Sequence, residues 1–518
     1  MARKFSSYGP IDTDEHYYAP RENLIEQALS QLVGDNPDKG GHYFTVWAPR
    51  QTGKTWILNQ ALHRLKTDAR FYSVKVSMES LKMSEDALYV AEKIVHAVNK
   101  EWNLALPVIS EMRRFPELFT HQYLDRPLIL ILDEFDALSE TVINTIVSFL
   151  RDMYIARQEE FDRVSADKEY LLHGVALIGV RAVLGIGNVK GSPFNIQRSL
   201  HIPNLTQAEV SGMFAWRQRE SGQPGLTCWF GELLTETYNE APDQPLDMKR
   251  FNYAWSCAQD ILPNNNIMNL ISKAREEPFR SEALKLFQTG EKIFFKFNDP
   301  VHGYLYTNGI VDIEAVLDSD SIVNHYCRFS CPFVQKQLFS AFSRELFRDM
   351  GVLAQPGVDL GGLFVEGRLN FGKVIELYRH YLAANREWLF RDVPLRKDGR
   401  PYEAVCHFNF FQFLFGFLKD YGYRVVPEFP TGNGQVDILI EREGERLAAE
   451  IKSYRSEPQY QAALAQAARY ASSLRLERIE LVVYLNSRAP EPFVRGLEQP
   501  WRDAASGVTV QPHVLEIL

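Results

Sequence analysis

The chain has 518 residues, 45% of them hydrophobic and 12% aromatic, and its 57 Lys and Arg against 66 Asp and Glu give a net charge of -9. That apolar content predicts three or four packed domains, while the acidic balance excludes a passive DNA coat, whose affinity would come from clustered basic residues. No apolar run approaches the ~20 residues of a membrane span, and the start MARKFSSYGPIDTDEHYY is too polar for a secretory signal, so a cytoplasmic protein is expected. Cys228, Cys257, Cys327, Cys331 and Cys406 form no even framework, and Cys327 with Cys331 lacks a second ligand pair for zinc; they read as reduced core thiols.

In chain order, FTVWA (44–48), Phe71 to Val76, LILIL (128–132) and Val175 to Val180 are short apolar runs of the kind that form buried parallel strands, with helical periodicity between them. They predict a doubly wound α/β domain over residues 1–205. The pattern from 206 to 280 is helical. SEALKLF predicts a further helix, and EKIFFKFNDPVHGYLYTNGIV predicts two strands around a turn at Asn298, Asp299 and Pro300. Residues 206–345 are therefore expected to form a helical lid and a winged helix, with Lys285, Lys292 and Lys296 too few for a DNA-binding face. Glycines including Gly361 and Gly362, then the amphipathic KVIELYRHYLAANREWLF, make 346–400 a linker and bridging helix. From 401 to 518 the order is an apolar helix (YEAVCHFNFFQFLFGFLKDYG), three strands (RVVPEFP, VDILIER, RLAAEIK), a helix and a fourth strand (IELVVYL). The fold class is multidomain α/β.

APRQTGKT, residues Ala48, Pro49, Arg50, Gln51, Thr52, Gly53, Lys54 and Thr55, follows a strand and opens a helix. This is the context of a P-loop, where backbone N–H groups and a helix N-terminus cradle phosphates. Lys54 would meet the β and γ phosphates, Thr55 would hold Mg²⁺, and Gly53 allows the close turn; Ala48 stands where a glycine is usual. In LILILDEFDAL a buried strand delivers Asp133 to the magnesium and Glu134 to the water that attacks the γ-phosphate. Asp136 reads as a helix cap.

Near the C-terminus, Asp437 in GQVDILI and Glu450 with Lys452 in AAEIKSY place two carboxylates and an amine on neighbouring strands, with the turn EREGER between them. Such carboxylates hold Mg²⁺ or Mn²⁺, the ion activates a water and polarises a phosphodiester, and the lysine supports the nucleophile or the developing charge. Gln466 and Tyr470 lie one helical turn apart. Arg442, Arg446, Arg455 and Arg469 are close by in sequence. His407 reads as a packing or hydrogen-bonding residue, and Phe408, Phe411 and Phe415 as core.

Two resemblances follow from these motifs. YYAPRENLIEQAL, APRQTGKT, LDEFDAL, GVALIGVR, SPFNIQRSLHIPNLT and ESGQPGLTCWFGELL make residues 10 to 340 resemble the prokaryotic AAA-like ATPases that lie near the STAND and origin-recognition groups. This implies that Arg21 sits near the adenine, that Arg181 is a sensor, and that Pro224 holds the nucleotide from the lid. It also implies a winged helix that packs on the nucleotide domain, and homo-oligomers in which a neighbour supplies an arginine finger, for which Arg198 is a candidate. Residues 401 to 490 resemble the PD-(D/E)xK nuclease superfamily, including RecB-like members with a QxxxY helix; Val436 replaces the family proline. That resemblance implies that Glu403, otherwise a first-turn acid favoured by the helix dipole, completes the metal shell, and that Gln466 and Tyr470 stand beside it. The expectation is an ATP- and Mg²⁺-dependent ATPase with a deoxyribonuclease gated by nucleotide state, acting on DNA with RNA left open, answering a protein or nucleic-acid trigger and serving defence against foreign DNA. The rival expectation is a nucleotide-switched scaffold that binds DNA without cutting it.

Overall fold

LILILD, residues Leu128–Asp133, forms a strand in which every residue is buried, and a strand with no polar face has to lie between two covering layers. The computed structural model describes residues 4–7, 9, 11–82, 84–179, 198–213, 224–238, 248–287, 292–317, 322–353, 359–430 and 435–517. The chain divides into one unit of residues 1–266 with 296–312 and a second of residues 267–295 with 313–518.

The first unit contains, in order, α1 (Glu22–Val33), β1 (Tyr43–Trp47), α2 (Lys54–Lys66), β2 (Tyr72–Ser77), α3 (Ala87–Trp102), β3 (Leu128–Asp133), α4 (Glu140–Glu159), β4 (Leu172–Gly179), β5 (Ser199–His201), α5 (Gln207–Met213), α6 (Pro224–Glu232) and α7 (Met248–Asp260). The strands form one parallel sheet in the order β2-β3-β4-β1-β5. Alternation along β3 sorts its side chains. Leu128, Leu130 and Leu132 enter the core that holds Ile94 of α3 and Ile146 of α4, while Ile129 and Ile131 enter the core that holds Leu32 of α1 and Ile57 of α2. Truncating one such residue, as in Leu130→Ala, costs ~2–5 kcal/mol.

The chain continues through α8 (Asn265–Arg275), α9 (Phe279–Leu286) and α10 (Pro300–Thr307), then β6 (Val311–Leu317), β7 (Val323–Phe329), α11 (Pro332–Leu346), β8 (Phe364–Val365) and β9 (Arg368–Leu369). The pair of strands expected over 292–311 does not form: Phe294 makes an isolated antiparallel bridge to Tyr326 of β7, and the second strand is replaced by α10. Asp299 accepts hydrogen bonds from the N–H groups of Val301 and His302 and Pro300 takes the first helical position, a strong helix start, so YLYT is helical. The hairpin lies later, between β6 and β7. α10 belongs to the first unit, where Tyr306 of α10 meets His201. α9 and α11 instead pack into the second unit's own core: Phe339 of α11 makes edge contacts with Phe287, His407, Phe408 and Phe411. The segment expected to form the winged helix is thus divided between the two units.

The second unit is completed by α12 (Phe371–Leu389), α13 (Glu403–Leu418), β10 (Arg424–Pro430), β11 (Gln435–Arg442), β12 (Glu445–Ser453), α14 (Glu457–Ser473), β13 (Arg478–Leu485), α15 (Glu491–Leu497), β14 (Trp501–Arg502) and β15 (Thr509–Glu516). Its sheet runs β10-β11-β12-β13-β15-β14, antiparallel from β10 to β12 and parallel from β12 through β13 to β15. A parallel step needs a crossover, and α14 supplies it between β12 and β13. α13 is apolar on nearly every side because other helices and the strands β10 and β12 pack against it, although Phe415, expected in the core, is half exposed. Tyr378 of α12 donates to Asn409 Oδ1 at 2.8 Å and meets the Tyr484 hydroxyl at 2.9 Å, tying α12, α13 and β13 together, so the expected bridging helix is part of this core.

A buried polar knot in the first unit yields a stability prediction. His173 of β4 is fully buried; its Nε2 is 2.9 Å from the Val33 carbonyl and its Nδ1 is 2.6 Å from Ser165 Oγ. Nε2–H therefore donates, Nδ1 accepts, and the ring is neutral. Burial, with Arg157, Arg70 and Lys168 nearby, lowers its pKa to about 3. The unfolded chain takes up a proton near pH 6.5 while the folded one does not, so stability is complete above that pH and is lost as pH falls toward 3. Between pH 7 and 5 the loss is expected to be ~2 kcal/mol. Denaturant titrations of the wild type and of His173→Gln at the two pH values measure it as the difference between their pH dependences, because His201, whose pKa burial lowers to about 4, titrates over the same range.

Candidate functional site

The phosphate loop joins β1 to α2. Gln51 (φ 59°) and Gly53 (φ 92°) take left-handed backbone, which glycine does at no steric cost. Lys54 is buried, and its Nζ donates to the carbonyls of Ala48 at 2.9 Å and Pro49 at 2.8 Å. Thr52 Oγ1 also donates to the Pro49 carbonyl, at 2.9 Å, so the loop is held from within. Burial lowers the Lys54 pKa to about 8, against the attraction of Glu134, Asp136 and Asp133.

β4 lies between β1 and β3, so the acids at the end of β3 stand one strand away from the loop. Asp133 accepts from Thr55 Oγ1 at 3.3 Å and pairs with Lys75 at 3.4 Å. A hydroxyl and a carboxylate are hard oxygen donors that suit Mg²⁺. Glu134 sits in left-handed backbone (φ 55°), and burial, then the charges of Asp133 and Asp136, raise its pKa. Asp136 is not the cap expected: it lies inside the 3₁₀ turn Phe135–Ala137, whose cap position is Glu134, and α4 has Ser139 at its own. A Cβ on Gly179 would come within 2.9 Å of the Asp136 carboxylate, so β4 ends against that acid.

Arg21, which the resemblance sets near the adenine, reaches the phosphate loop itself. Its guanidinium pairs with Glu209 at 2.9 Å and donates to the carbonyls of Thr52, Pro203 and Asn204, bracing the loop from its backbone side. Pro224 opens α6, whose next residue, Gly225, donates to the Gln51 carbonyl at 3.0 Å; the Pro224 side chain and all of Arg181 lie outside the described residues. Arg198 is exposed and its Nη1 lies 3.4 Å from Gln31 Oε1.

The second site lies on the other unit's sheet. Ile438 pairs with Ala449, and one step further along that register sets Asp437 opposite Glu450. Strand alternation puts Asp437 with Leu439, and Glu450 and Lys452 with Ala448. Leu439 and Ala448 share a core with Ala467 and Tyr470 of α14, so α14 covers the face that carries the polar trio. Lys452 Nζ lies 2.6 Å from Glu450 Oε1 and 3.6 Å from Asp437 Oδ2. Asp437 Oδ2 also accepts from the Ile451 N–H at 2.6 Å, and Gln466 Nε2 donates to the Tyr470 hydroxyl at 2.8 Å. Burial, followed by the Asp437 charge, pushes Glu450 up to about 8 despite Lys452.

Glu403 begins α13, is buried, and accepts from the Ser453 N–H at 2.8 Å. With Lys452, Arg455, Gln459 and Gln466 it lines a cavity of about 140 Å³. Among the described residues, however, the acids whose ligand atoms converge within 4.8 Å are Asp437 and Glu428, together with His407, and not Asp437 with Glu403 and Glu450. Sequence reasoning missed Glu428. Its signal was register: Pro427 pairs with Ile438 and Phe429 with Val436, which sets Glu428 across from Asp437. Glu428 takes φ 50°, and its pKa lies well above the carboxylate range because of burial and the charges of Asp437 and Glu450.

In comparisons with known proteins, residues 38–163 match the family described as AAA domain. No curated protein matches the chain in sequence. Similar solved structures include the Aeropyrum pernix ORC2 protein in ADPNP-ADP complexes (14% identity, 64% of this chain and 97% of that one, TM-score 0.35). The Aeropyrum pernix ORC1 protein in complex with DNA is similar at 15% identity, over 64% and 94% of the chains, with TM-score 0.31. Cdc6p from Pyrobaculum aerophilum is similar at 15% identity, over 63% and 95%, with TM-score 0.29. Residues 38–163 are thus an AAA-type P-loop ATPase domain, carried on a five-stranded parallel sheet.

Proposed function

We propose that the chain hydrolyses ATP at the phosphate loop and cleaves DNA at the Asp437–Glu450–Lys452 centre in a manner gated by nucleotide state. The observation that carries the nuclease half is the facing register of Asp437 and Glu450 with Lys452 Nζ 2.6 Å from Glu450. Buried acids are costly, and a divalent ion between them would offset that cost.

At the loop, Lys54 neutralises phosphate charge, Thr55 and Asp133 hold Mg²⁺, and Glu134 orients and deprotonates the attacking water. At the second centre Asp437 and Glu450 would hold a divalent ion, with Glu403 on the wall of the adjoining cavity. When bound, that ion supplies Lewis acidity and a water of lowered pKa. Lys452 stabilises the charge that develops on the phosphate. Gln466 fixes the Tyr470 hydroxyl beside the acids, and Arg455, on the wall of the cavity, holds the substrate backbone. Assembly of copies brings an arginine, with Arg198 the candidate, to a neighbour's nucleotide. The resemblance to defence-associated ATPase and nuclease families extends the reading to foreign DNA as the target.

Two sets of variants test the halves separately. Lys54→Ala should weaken nucleotide affinity about 100-fold, the worth of a lost charged hydrogen-bond partner, whereas Glu134→Gln should bind ATP normally and lose ~10²–10⁴ in turnover. Nucleotide titration and phosphate release report both, and normal hydrolysis by Glu134→Gln would reassign the base.

For the nuclease, Asp437→Ala and Glu450→Ala should each lose at least ~10³-fold in Mg²⁺-dependent cleavage with ATPase unchanged. Lys452→Ala should be similarly inactive yet still bind the ion, and Gln466→Ala should fall only about 10-fold. Cleavage assays beside calorimetric metal titrations separate these cases. Wild-type cleavage by Asp437→Ala leaves a nucleotide-switched DNA-binding scaffold as the reading.

A further inference from the structure

His407, Glu428 and Asp437 come from three elements, α13, β10 and β11, and each is at most 3% exposed. One ligand atom from each lies within 4.8 Å of the others. His407 Nδ1 and Glu428 Oε1 are 3.3 Å apart, in a geometry that makes no hydrogen bond.

What distinguishes the cluster is which atoms are engaged. The His407 Nε2–H donates to the Asp437 carbonyl oxygen at 3.1 Å, which leaves Nδ1 as a lone pair. Glu428 Oε2 accepts from Gln335 Nε2 at 2.9 Å, and Asp437 Oδ2 accepts from the Ile451 N–H at 2.6 Å. The remaining oxygens, Glu428 Oε1 and Asp437 Oδ1, are buried with no hydrogen-bond partner. Both carboxylates thus have one oxygen fixed by a neighbour and the other bare, and His407 has its Nε2 fixed with Nδ1 turned toward Glu428. That is the pattern around a metal ion, where a ligating imidazole gives its second N–H to a carbonyl and ligating carboxylates are held from behind. Two unsatisfied buried carboxylate oxygens would otherwise cost ~1–3 kcal/mol each.

We infer that His407, Glu428 and Asp437 bind a divalent ion of borderline softness, Zn²⁺ or Mn²⁺, at a site separate from the proposed catalytic ion. One imidazole nitrogen with two carboxylate oxygens favours these ions over Mg²⁺. The burial of all three ligands makes the ion's role structural, because it ties β10 and α13 to β11 and fixes Asp437 from behind. The two sites share Asp437, while Glu450 belongs only to the catalytic one.

That division provides the test. Glu450→Gln, freed of metal by chelation and dialysed against Zn²⁺, should retain one ion per chain, measured by elemental analysis, whether or not the wild type cuts DNA. His407→Gln and Glu428→Gln, each built into Glu450→Gln, should bind Zn²⁺ about 100-fold or more weakly. Because both positions are buried, X-ray absorption of Zn²⁺ in Glu450→Gln gives a readout that needs neither variant: an imidazole shell is expected. An all-oxygen shell, no retained ion, or unchanged affinity in a folded His407→Gln variant overturns the site. Loss of cleavage in the wild type with the ion still bound counts only against the nuclease reading.

Discussion

Glu428, Asp437 and Glu450 fall in one row across three neighbouring strands and are all buried, with Lys452 the ammonium within salt-bridge reach of two of them. Facing carboxylates about 5 Å apart repel by about 3 kcal/mol at an effective dielectric near 20. The strands cannot slip to relieve this, because a shift of one residue would turn Leu439 and Ala448 out of the core. Hydrophobic register therefore enforces an electrostatic arrangement that is unfavourable alone. The raised pKa of Glu450 is the symptom, and a bound cation would relieve it.

The phosphate loop meets the opposite problem by different means. Its buried charge is a cation, Lys54, and the loop turns its own carbonyls from Ala48 and Pro49 onto the ammonium. An arriving phosphate would replace these carbonyls as partners of the ammonium. The shifts run in opposite senses: burial lowers Lys54 and raises Glu134. Each group is held nearer neutrality than in water, so each gains more from a charged ligand than it would at a surface.

Much of this is legible in the sequence because period and chemistry agree. LILILDEFDAL announces both a buried strand and its acids, and GQVDILI with AAEIKSY announces paired strands and their facing carboxylates. Where two local signals compete, the reading fails. The apolar YLYT has the look of a strand although Asp299 and Pro300 begin a helix there. Glu428 escapes notice because a single acid in RVVPEFP carries no motif; its meaning appears only when β10 is aligned on β11. His407 reads as a hydrogen-bonding residue, which its Nε2 bears out, but the approach of its Nδ1 to Glu428 depends on a strand more than twenty residues away and has no sequence signature. Arg21 likewise has four backbone and carboxylate partners scattered over nearly two hundred residues.

Motifs mark where chemistry happens, and cores mark what must fold together; in the second unit the two boundaries differ. The motif on which the proposed cleavage rests begins near Glu403, yet α11 enters the same core seventy residues earlier. Phe339 fills the space between Phe408 and Phe411, and Gln335 donates to both Glu428 and Gln435 at the edge of the carboxylate row. Without α11 the apolar flank of α13 would face water, and Glu428 would lose the hydrogen bond that fixes its outer oxygen. The acids are thus positioned by a helix that carries none of the catalytic signature, and the smallest piece able to hold them in place is larger than the motif that identifies them.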